Sequence, residues 1–266
     1  MREFSLIPIA HGRTAEIFLW DDGHILKLYR DWCPPDWVED EAHIARAIYK
    51  AGVPSPAAGE IIEVNGRRGL IYERLERISM LQDMNARPWT LLKHARSLAE
   101  LHVKINRQSI PGLPFYKDRL RYDIRNTPHL NEDLRNRALS LLENLPAGNN
   151  VCHGDYHPGN ILLTKSGPVV IDWMTASAGS PWTDVARTSL LLTIGPKGAG
   201  KQVSPIIRSI IALYHRIYLD RYRALVPDTH KEMSRWMPLI AAARLSEEIL
   251  PEREALIKIV QEGIKE

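Results

Sequence analysis

The feature that most restricts this chain is a change of hydrophobic period. Up to residue 75 the apolar runs are short and rich in β-branched, aromatic and aliphatic residues. "TAEIFLW" and "HILKLYR" are separated by "DDG", and a further pair of such runs by Asn65-Gly66. Asp-Gly and Asn-Gly between such runs signal hairpins, because these residues tolerate the positive φ of a two-residue turn. One segment breaks the pattern. "DWVEDEAHIARAIYKAG" places Val38, Ala42, Ala45 and Ile48 or Tyr49 on one helical face, and Gly52 and Pro54 stop it. Residues 1–75 therefore read as a small antiparallel sheet with one inserted helix.

The remainder reads as mostly helical. "PWTLLKHARSLAELHVKIN" carries Leu91, Leu92, Ala95, Leu98, Ala99, His102 and Ile105 at helical spacing, and "NEDLRNRALSLLENL" is a second helix. "VCHG", "NILLT" and "PVVIDW" follow as short apolar strands around polar turns. From Thr183 the chain returns to helix in "TDVARTSLLLTI", "SPIIRSIIALYHRIYLDRYRAL" and "HKEMSRWMPLIAAARLSEEIL". The fold class is thus α+β. At 266 residues and 44% hydrophobic content, a sizeable core is expected and disorder is not. The net charge of +3, with no Lys/Arg run, points away from a nucleic-acid partner. Two cysteines, Cys33 and Cys152, without metal-type spacing, make no disulfide framework and suit a reducing cytoplasm. The N-terminus lacks a secretory pattern, and no apolar run nears the roughly 18 residues of a membrane span. A soluble cytoplasmic protein with no membrane partner is expected; the oligomeric state is not legible.

Between the short strands, "HGDYHPGN" concentrates polar chemistry. Zinc would draw on His153, His157 and Asp155, but such sites want three or four ligands and a second Cys/His cluster is missing. A serine nucleophile finds no G-x-S-x-G, and Cys152 sits in the apolar flank. A plain turn, with Asp and Asn as turn formers, is the bland alternative. Against it stands the wider set. Asp155 and Asn160 lie five apart, and the next strand ends in "VVIDW", which delivers Asp172. Two carboxylates and an amide on adjacent strand ends make a hard oxygen site of the kind that suits magnesium, which leaves its other positions to water and phosphates.

"HGDYHPGN" followed by "IDW" resembles the Brenner-type motif of the aminoglycoside phosphotransferase and choline kinase-like family, relatives of the protein kinases. The chain keeps the Asp-to-Asn interval and the later Asp of the protein-kinase set. It has Gly154 in place of Arg and Trp173-Met174 in place of Phe-Gly. The resemblance implies a two-lobed protein kinase-like fold. Residues 1–78 would be the N-terminal nucleotide-binding lobe and 79–266 a larger, mainly helical lobe for catalysis and acceptor binding. The crossing falls in "ERISMLQDMN".

The same resemblance implies roles. Lys27 would hold the nucleotide phosphates, oriented by Glu41, with Glu39 and Asp40 as alternatives on that helix. "AHGRTAEIF" would cover the phosphates through Gly12, Arg13 and Thr14, although one glycine departs from G-x-G-x-x-G. Backbone at Glu73 to Leu75 would bond the purine. Asn160 and Asp172 would hold Mg2+, Asp155 would be the catalytic base, and His153 and Asp184 would support the loop. An N-cap role for Thr183 or Asp184 is compatible with that. The implied activity is transfer of the γ-phosphate of ATP or GTP to a hydroxyl of a small molecule. Sugar or aminoglycoside-like alcohols rank first as acceptors, then choline- or ethanolamine-like amino alcohols. The rivals are a protein kinase, disfavoured because no A-P-E segment follows Asp172, and a silent nucleotide-binding module. From Pro181 onward Lys and Arg number 13 and Asp and Glu 10, which disfavours a broadly acidic acceptor groove. Asp220, Asp228, Glu247 and Glu248 are the local carboxylates there. Trp182, Trp236, Tyr214 and Tyr218 are aromatic candidates, though residues of this kind more often belong to a core.

Overall fold

The computed structural model describes residues 7–75, 78–198, 204–226 and 230–264. The chain divides into two compact units. One takes in Met1–Met80 and Gly159–Thr175, the other Leu81–Pro158 and Ala176–Glu266.

In the first unit, β1 (Ala10–His11), β2 (Ala15–Leu19), β3 (His24–Tyr29), β4 (Ala58–Val64) and β5 (Arg67–Glu73) form one antiparallel sheet. Its order is β1-β2-β3-β5-β4. Both hairpin signals are used. In the first, the Asp21 carboxylate accepts the Gly23 N–H at 2.8 Å while Trp20 N–H closes on the His24 carbonyl at 3.0 Å. In the second, Asn65 (φ 52°) and Gly66 (φ 78°) both turn left-handed, as a type I′ turn needs. Between β3 and β4 runs α1 (Asp36–Lys50), whose buried face includes Val38, Ala42, Ala45 and Ile48; Tyr49 is exposed. Gly52 at φ 75° ends it.

Side chains alternate across the strands. Ala15, Tyr29, Leu70 and Tyr72 meet Val38, Ala42 and Ala45 of α1, with Met174 packed against them. On the other face Phe18, Leu26 and Leu28 form a second cluster. Gly69 faces β3 here, in register with Leu28. A Cβ at Gly69 would stand 2.7 Å from Leu26 Cδ1 and 2.9 Å from the Lys27 carbonyl oxygen. Leu26 can rotate, but the backbone oxygen cannot move without shifting β3. Gly69→Ala is therefore expected to destabilise the protein by about 1–3 kcal/mol, read as a lower midpoint in urea unfolding. The unit is completed by a hairpin of β6 (Ile161–Thr164) and β7 (Gly167–Val170), with Ile161 opposite Val170. It attaches by Val170 N–H to the Pro54 carbonyl (2.8 Å) and Leu163 N–H to the Ile78 carbonyl (3.1 Å).

The second unit is mainly helical. It contains α2 (Leu91–Asn106), α3 (Tyr116–Asn126), α4 (Glu132–Glu143), α5 (Pro181–Thr193), α6 (Pro205–Leu225), α7 (His230–Arg244) and α8 (Arg253–Gly263). Two short strands, Asn150–Cys152 and Ser177–Gly179, pair antiparallel. A short helix, Met80–Ala86, falls where the crossing between lobes was expected; Glu76 and Arg77 of that stretch lie outside the described residues. α3 and α8 have no counterpart among the segments read from sequence. In α3 only Tyr116, Leu120 and Ile124 are buried among charged neighbours, so the apolar stripe is thin. α2 packs along α6, and α5 and α8 each pack on α7. Trp182, Trp236, Tyr214 and Tyr218 are all buried, which makes them core residues.

Candidate active site

The first unit assembles three charges. Lys27 lies in mid-β3 on the face turned to α1. Its Nζ donates to Glu41 Oε1 at 2.9 Å and to Asp172 Oδ1 at 2.8 Å. Tyr72 OH donates to the same Glu41 oxygen at 2.7 Å. Glu41 is 1% exposed, whereas Glu39 pairs with Arg68 on the surface. That difference selects Glu41 over its acidic neighbour. Burial alone would lower the Lys27 pKa, yet the two carboxylates outweigh it and raise it. The ammonium is therefore held charged.

Asp172 follows β7 and is one of few non-glycine residues with positive φ, at 66°. Aspartate adopts this region more readily than most side chains. Trp173 and Met174 anchor the turn: Trp173 Nε1 donates to the Val170 carbonyl at 2.9 Å, and Tyr29 OH reaches Met174 Sδ at 3.8 Å. Ile171 N–H donates to the Asn160 carbonyl at 2.9 Å, which brings the chain at Asn160 beside the chain at Asp172. The Asp172 side chain is 46% exposed. An amide oxygen and an open carboxylate are hard donors, and two of them fit a magnesium-type ion that completes its shell with water and phosphate. Among the described residues no cluster of three or more His, Cys, Asp or Glu forms a metal cage.

Gly12, Arg13 and Thr14 form the turn between β1 and β2. Gly12 N–H bonds the Ala15 carbonyl at 2.8 Å, and Arg30 reaches the carbonyls of Arg13 and Gly12 at 3.1 and 3.2 Å. Gly12 and Arg13 are exposed. Glu73 ends β5 with its N–H on the Ala57 carbonyl (2.9 Å), and partly exposed Leu75 lies two residues beyond.

The second unit holds the loop with Asp155. Asp184, in the first turn of α5, is fully buried. It accepts from His153 N–H (2.7 Å), Gly154 N–H (2.9 Å), Asn106 Nδ2 (3.3 Å) and, in the tautomer that donates, His102 Nε2 (2.9 Å). Burial pushes its carboxyl pKa up, but His102 and the other partners hold it below the ordinary value. The N-cap of α5 is Ser180, whose side chain accepts from Trp182 N–H, so Asp184 is a brace and not the cap. His153 is buried, and its Nδ1 accepts the Asp155 N–H at 3.2 Å. Burial also opposes ionisation of Asp155, and the hydrogen bond and charge of His157, with the charges of Arg187 and His153, overcome it. The Asp155 pKa is thereby lowered. His157 Nε2 lies 3.7 Å from Asp155 Oδ2, one histidine and not a ligand set.

Sequence reasoning missed Tyr72, His102, Asn106, Arg187 and Thr188. Arg187 left a signal, a lone cation within the apolar run of "VARTSLLL". Of the acidic acceptor candidates, Glu247 is bound by Arg187 (2.6 Å) and Arg244 (3.1 Å), and Asp220 is exposed beside Arg216. Glu248 turns left-handed at φ 55°, and Asp228 lies outside the described residues.

An antiparallel sheet with one helix, and a larger helical part behind a buried-aspartate loop, define a protein kinase-like α+β fold. Residues 5–225 match the phosphotransferase enzyme family, and the chain belongs to that family. Its fold is similar to a thermostable mutant of aminoglycoside phosphotransferase APH(4)-Ia in complex with AMP-PNP and hygromycin B. The TM-score is 0.65 at 17% identity, over 96% of this chain and 93% of that one. A choline/ethanolamine kinase family protein from Mesorhizobium loti gives 0.59 at 14% identity, over 96% and 90%. Amicoumacin kinase hAmiN, with AMP-PNP, Ca2+ and Ami, gives 0.63 at 12%, over 97% and 87%. No curated protein matches the chain. No described helix is long and apolar enough to cross a membrane.

Proposed function

We propose that this protein is a small-molecule kinase that transfers the γ-phosphate of ATP or GTP to a hydroxyl group. The observation that carries the reading is the pairing of buried Lys27 with buried Glu41 and with the half-open Asp172, which holds a cation on a strand for no evident packing purpose. In this reading residues 1–78 bind nucleotide, and residues 79–266 carry the base and the acceptor site. Lys27, oriented by Glu41, bonds the nucleotide phosphates. The turn of Gly12, Arg13 and Thr14 covers them, and backbone from Glu73 to Leu75 meets the purine. Asn160 and Asp172 would hold Mg2+, which neutralises charge on the phosphate oxygens when bound. Asp155 accepts the hydrogen bond of the acceptor hydroxyl, orients the oxygen, and takes its proton as the bond to phosphorus forms. His153 and Asp184 hold the loop that presents it.

A cytoplasmic setting accords with two free cysteines. The relatives in complex with hygromycin B and amicoumacin, and the choline/ethanolamine kinase relative, support alcohol acceptors of two kinds. The balance of charge after Pro181 places polyhydroxylated acceptors ahead of strongly cationic ones.

The test is transfer of label from γ-labelled ATP and GTP, with magnesium, to pooled aminoglycosides, amino alcohols, sugars and macrolides. Label in one pool, absent with Asp155→Asn, is the expected result. ATP turnover with label in no pool would favour a different acceptor, and no nucleotide turnover at all would sink the kinase reading. Asp172→Ala should weaken magnesium-dependent nucleotide binding by about 10- to 100-fold, the worth of a bond to a charged group. Calorimetric titration with and without magnesium reads it directly.

A further inference from the structure

Asp184 does not hold the Asp155 loop alone. Residues 184, 187 and 188 share one face of α5 by their i, i+3, i+4 spacing, and each bonds the loop backbone. Asp184 takes the N–H groups of His153 and Gly154. Arg187 Nε donates to the Gly154 carbonyl at 3.2 Å, and Thr188 Oγ1 to the Tyr156 carbonyl at 2.9 Å. The Gly154 carbonyl belongs to the peptide group that joins Gly154 to Asp155. Its orientation sets the direction in which the Asp155 side chain leaves the backbone. Gly154 itself turns left-handed at φ 78°, so this peptide depends on outside partners to stay in place.

Arg187 has a second attachment. Its Nη2 donates to Glu247 Oε1 at 2.6 Å, and Glu247 Oε2 accepts from Arg244 at 3.1 Å. Arg244 in turn forks onto Glu252 at 2.5 and 2.8 Å. Arg187, Arg244 and Glu252 are buried. Two guanidinium groups and two carboxylates thus run from the loop to the turn Leu245–Glu247 and on to the start of α8. A buried guanidinium carries a desolvation penalty that an apolar side chain in the same place would avoid. Packing alone gives no reason for one here, whereas a planar fork that must reach a carbonyl and a carboxylate together does.

We propose that Arg187 is a positioning residue for phosphoryl transfer. It fixes the Gly154–Asp155 peptide and ties it, through Glu247, to the turn Leu245–Glu247. The proposal rests on the kinase reading for the task of Asp155, but the tether itself has a readout that needs no turnover. Its charge also favours the ionised form of Asp155, which is consistent with the geometry.

The experiment compares wild type with Arg187→Gln, Arg187→Lys, Glu247→Gln and the double variant Arg187→Gln/Glu247→Gln. Steady-state kinetics and amide hydrogen exchange are measured on each. Arg187→Gln should lower kcat by about 30- to 100-fold, as misplacement of a reacting group does, with the nucleotide KM changed by less than about threefold. Exchange at the Asp155 amide should speed up about tenfold or more, with the amides of α2 near their wild-type rates. Arg187→Lys should recover part of kcat, since it keeps the charge and loses the fork; it also serves if the glutamine variant does not fold. The double variant should be no worse than Arg187→Gln, because the two side chains act through one link. Faster exchange spread evenly over α2 and α5 would mean a general packing role and overturn the proposal. So would an unchanged Asp155 amide together with kcat within about threefold of wild type. Additive effects of the two single variants would overturn the link to the turn. If wild type transfers no phosphate, the kinase reading falls, and the exchange data still decide whether Arg187 holds the peptide.

Discussion

Asp155→Asn is expected to lower kcat by about 10²- to 10⁴-fold and to leave nucleotide affinity within about threefold of wild type. The substitution keeps volume and one acceptor oxygen, so the loop backbone still bonds Asp184, Arg187 and Thr188 as before. What it removes is the capacity to take a proton. At about 1.4 kcal/mol per tenfold, the loss is about 3–5 kcal/mol of transition-state stabilisation. Nucleotide affinity should be spared, because Lys27, Glu41 and Asp172, proposed to hold the nucleotide, do not depend on that proton. ADP release in steady state measures the first quantity, and titration calorimetry with a non-hydrolysable nucleotide the second. Turnover within about threefold of wild type would remove Asp155 from the role of base.

The pH behaviour follows from the same environment. The Asp155 carboxyl pKa is lowered below its ordinary value of 3.8, so the base form is already full above that pH. Protonation of Asp155 should therefore impose no acid limb on kcat/KM between about pH 5 and 8. An acid limb in that window would remove Asp155 from the role of base.

The hairpins and α1 were legible because their signals are local. "DDG" and Asn65-Gly66 specify turns that neighbouring residues alone can make, and Val38, Ala42, Ala45 and Ile48 repeat at helical spacing. Lys27 stood out as a charge among apolar strand residues, and Glu41 was expected as its ion-pair partner from a family pattern rather than from spacing, whereas Asp172 was expected only as a metal ligand. Asp172 lies 145 residues from Lys27, a separation over which periodicity says nothing. The same limit hid the supports of the loop. His102 read as one more position on an apolar helix face, yet it meets Asp184 across 82 residues of chain. Glu247 read as a solvated carboxylate free for an acceptor, and the structure gives it two arginines. Buried polar networks of this kind join residues whose only shared property is where the fold puts them. That is why Thr188 and Arg187 were seen only as parts of a helix.

Removing the centre of that network should have the largest effect on stability. Asp184→Ala is expected to destabilise the protein by about 3–5 kcal/mol, a large share of the 5–15 kcal/mol that typical proteins possess. The variant leaves the N–H groups of His153 and Gly154 buried with no carboxylate to meet them, and frees His102 and Asn106 as well. Each unmet buried donor costs about 1–3 kcal/mol, and partial relaxation keeps the total below their sum. Urea unfolding monitored by tryptophan fluorescence measures it. The sign with pH is fixed by the lowered Asp184 pKa. Its stabilisation is fully present above the unfolded carboxyl value of about 3.9 and is lost as pH falls through the lower folded value. The gap between wild type and variant should thus stay constant from pH 8 to about 5 and close only in stronger acid. A gap that instead changed between pH 8 and 5 would mean that the Asp184 carboxyl is not held below its ordinary value. A gap under about 1 kcal/mol would mean that water replaces the carboxylate without loss. The loop would then owe its shape to Arg187 and Thr188 rather than to Asp184.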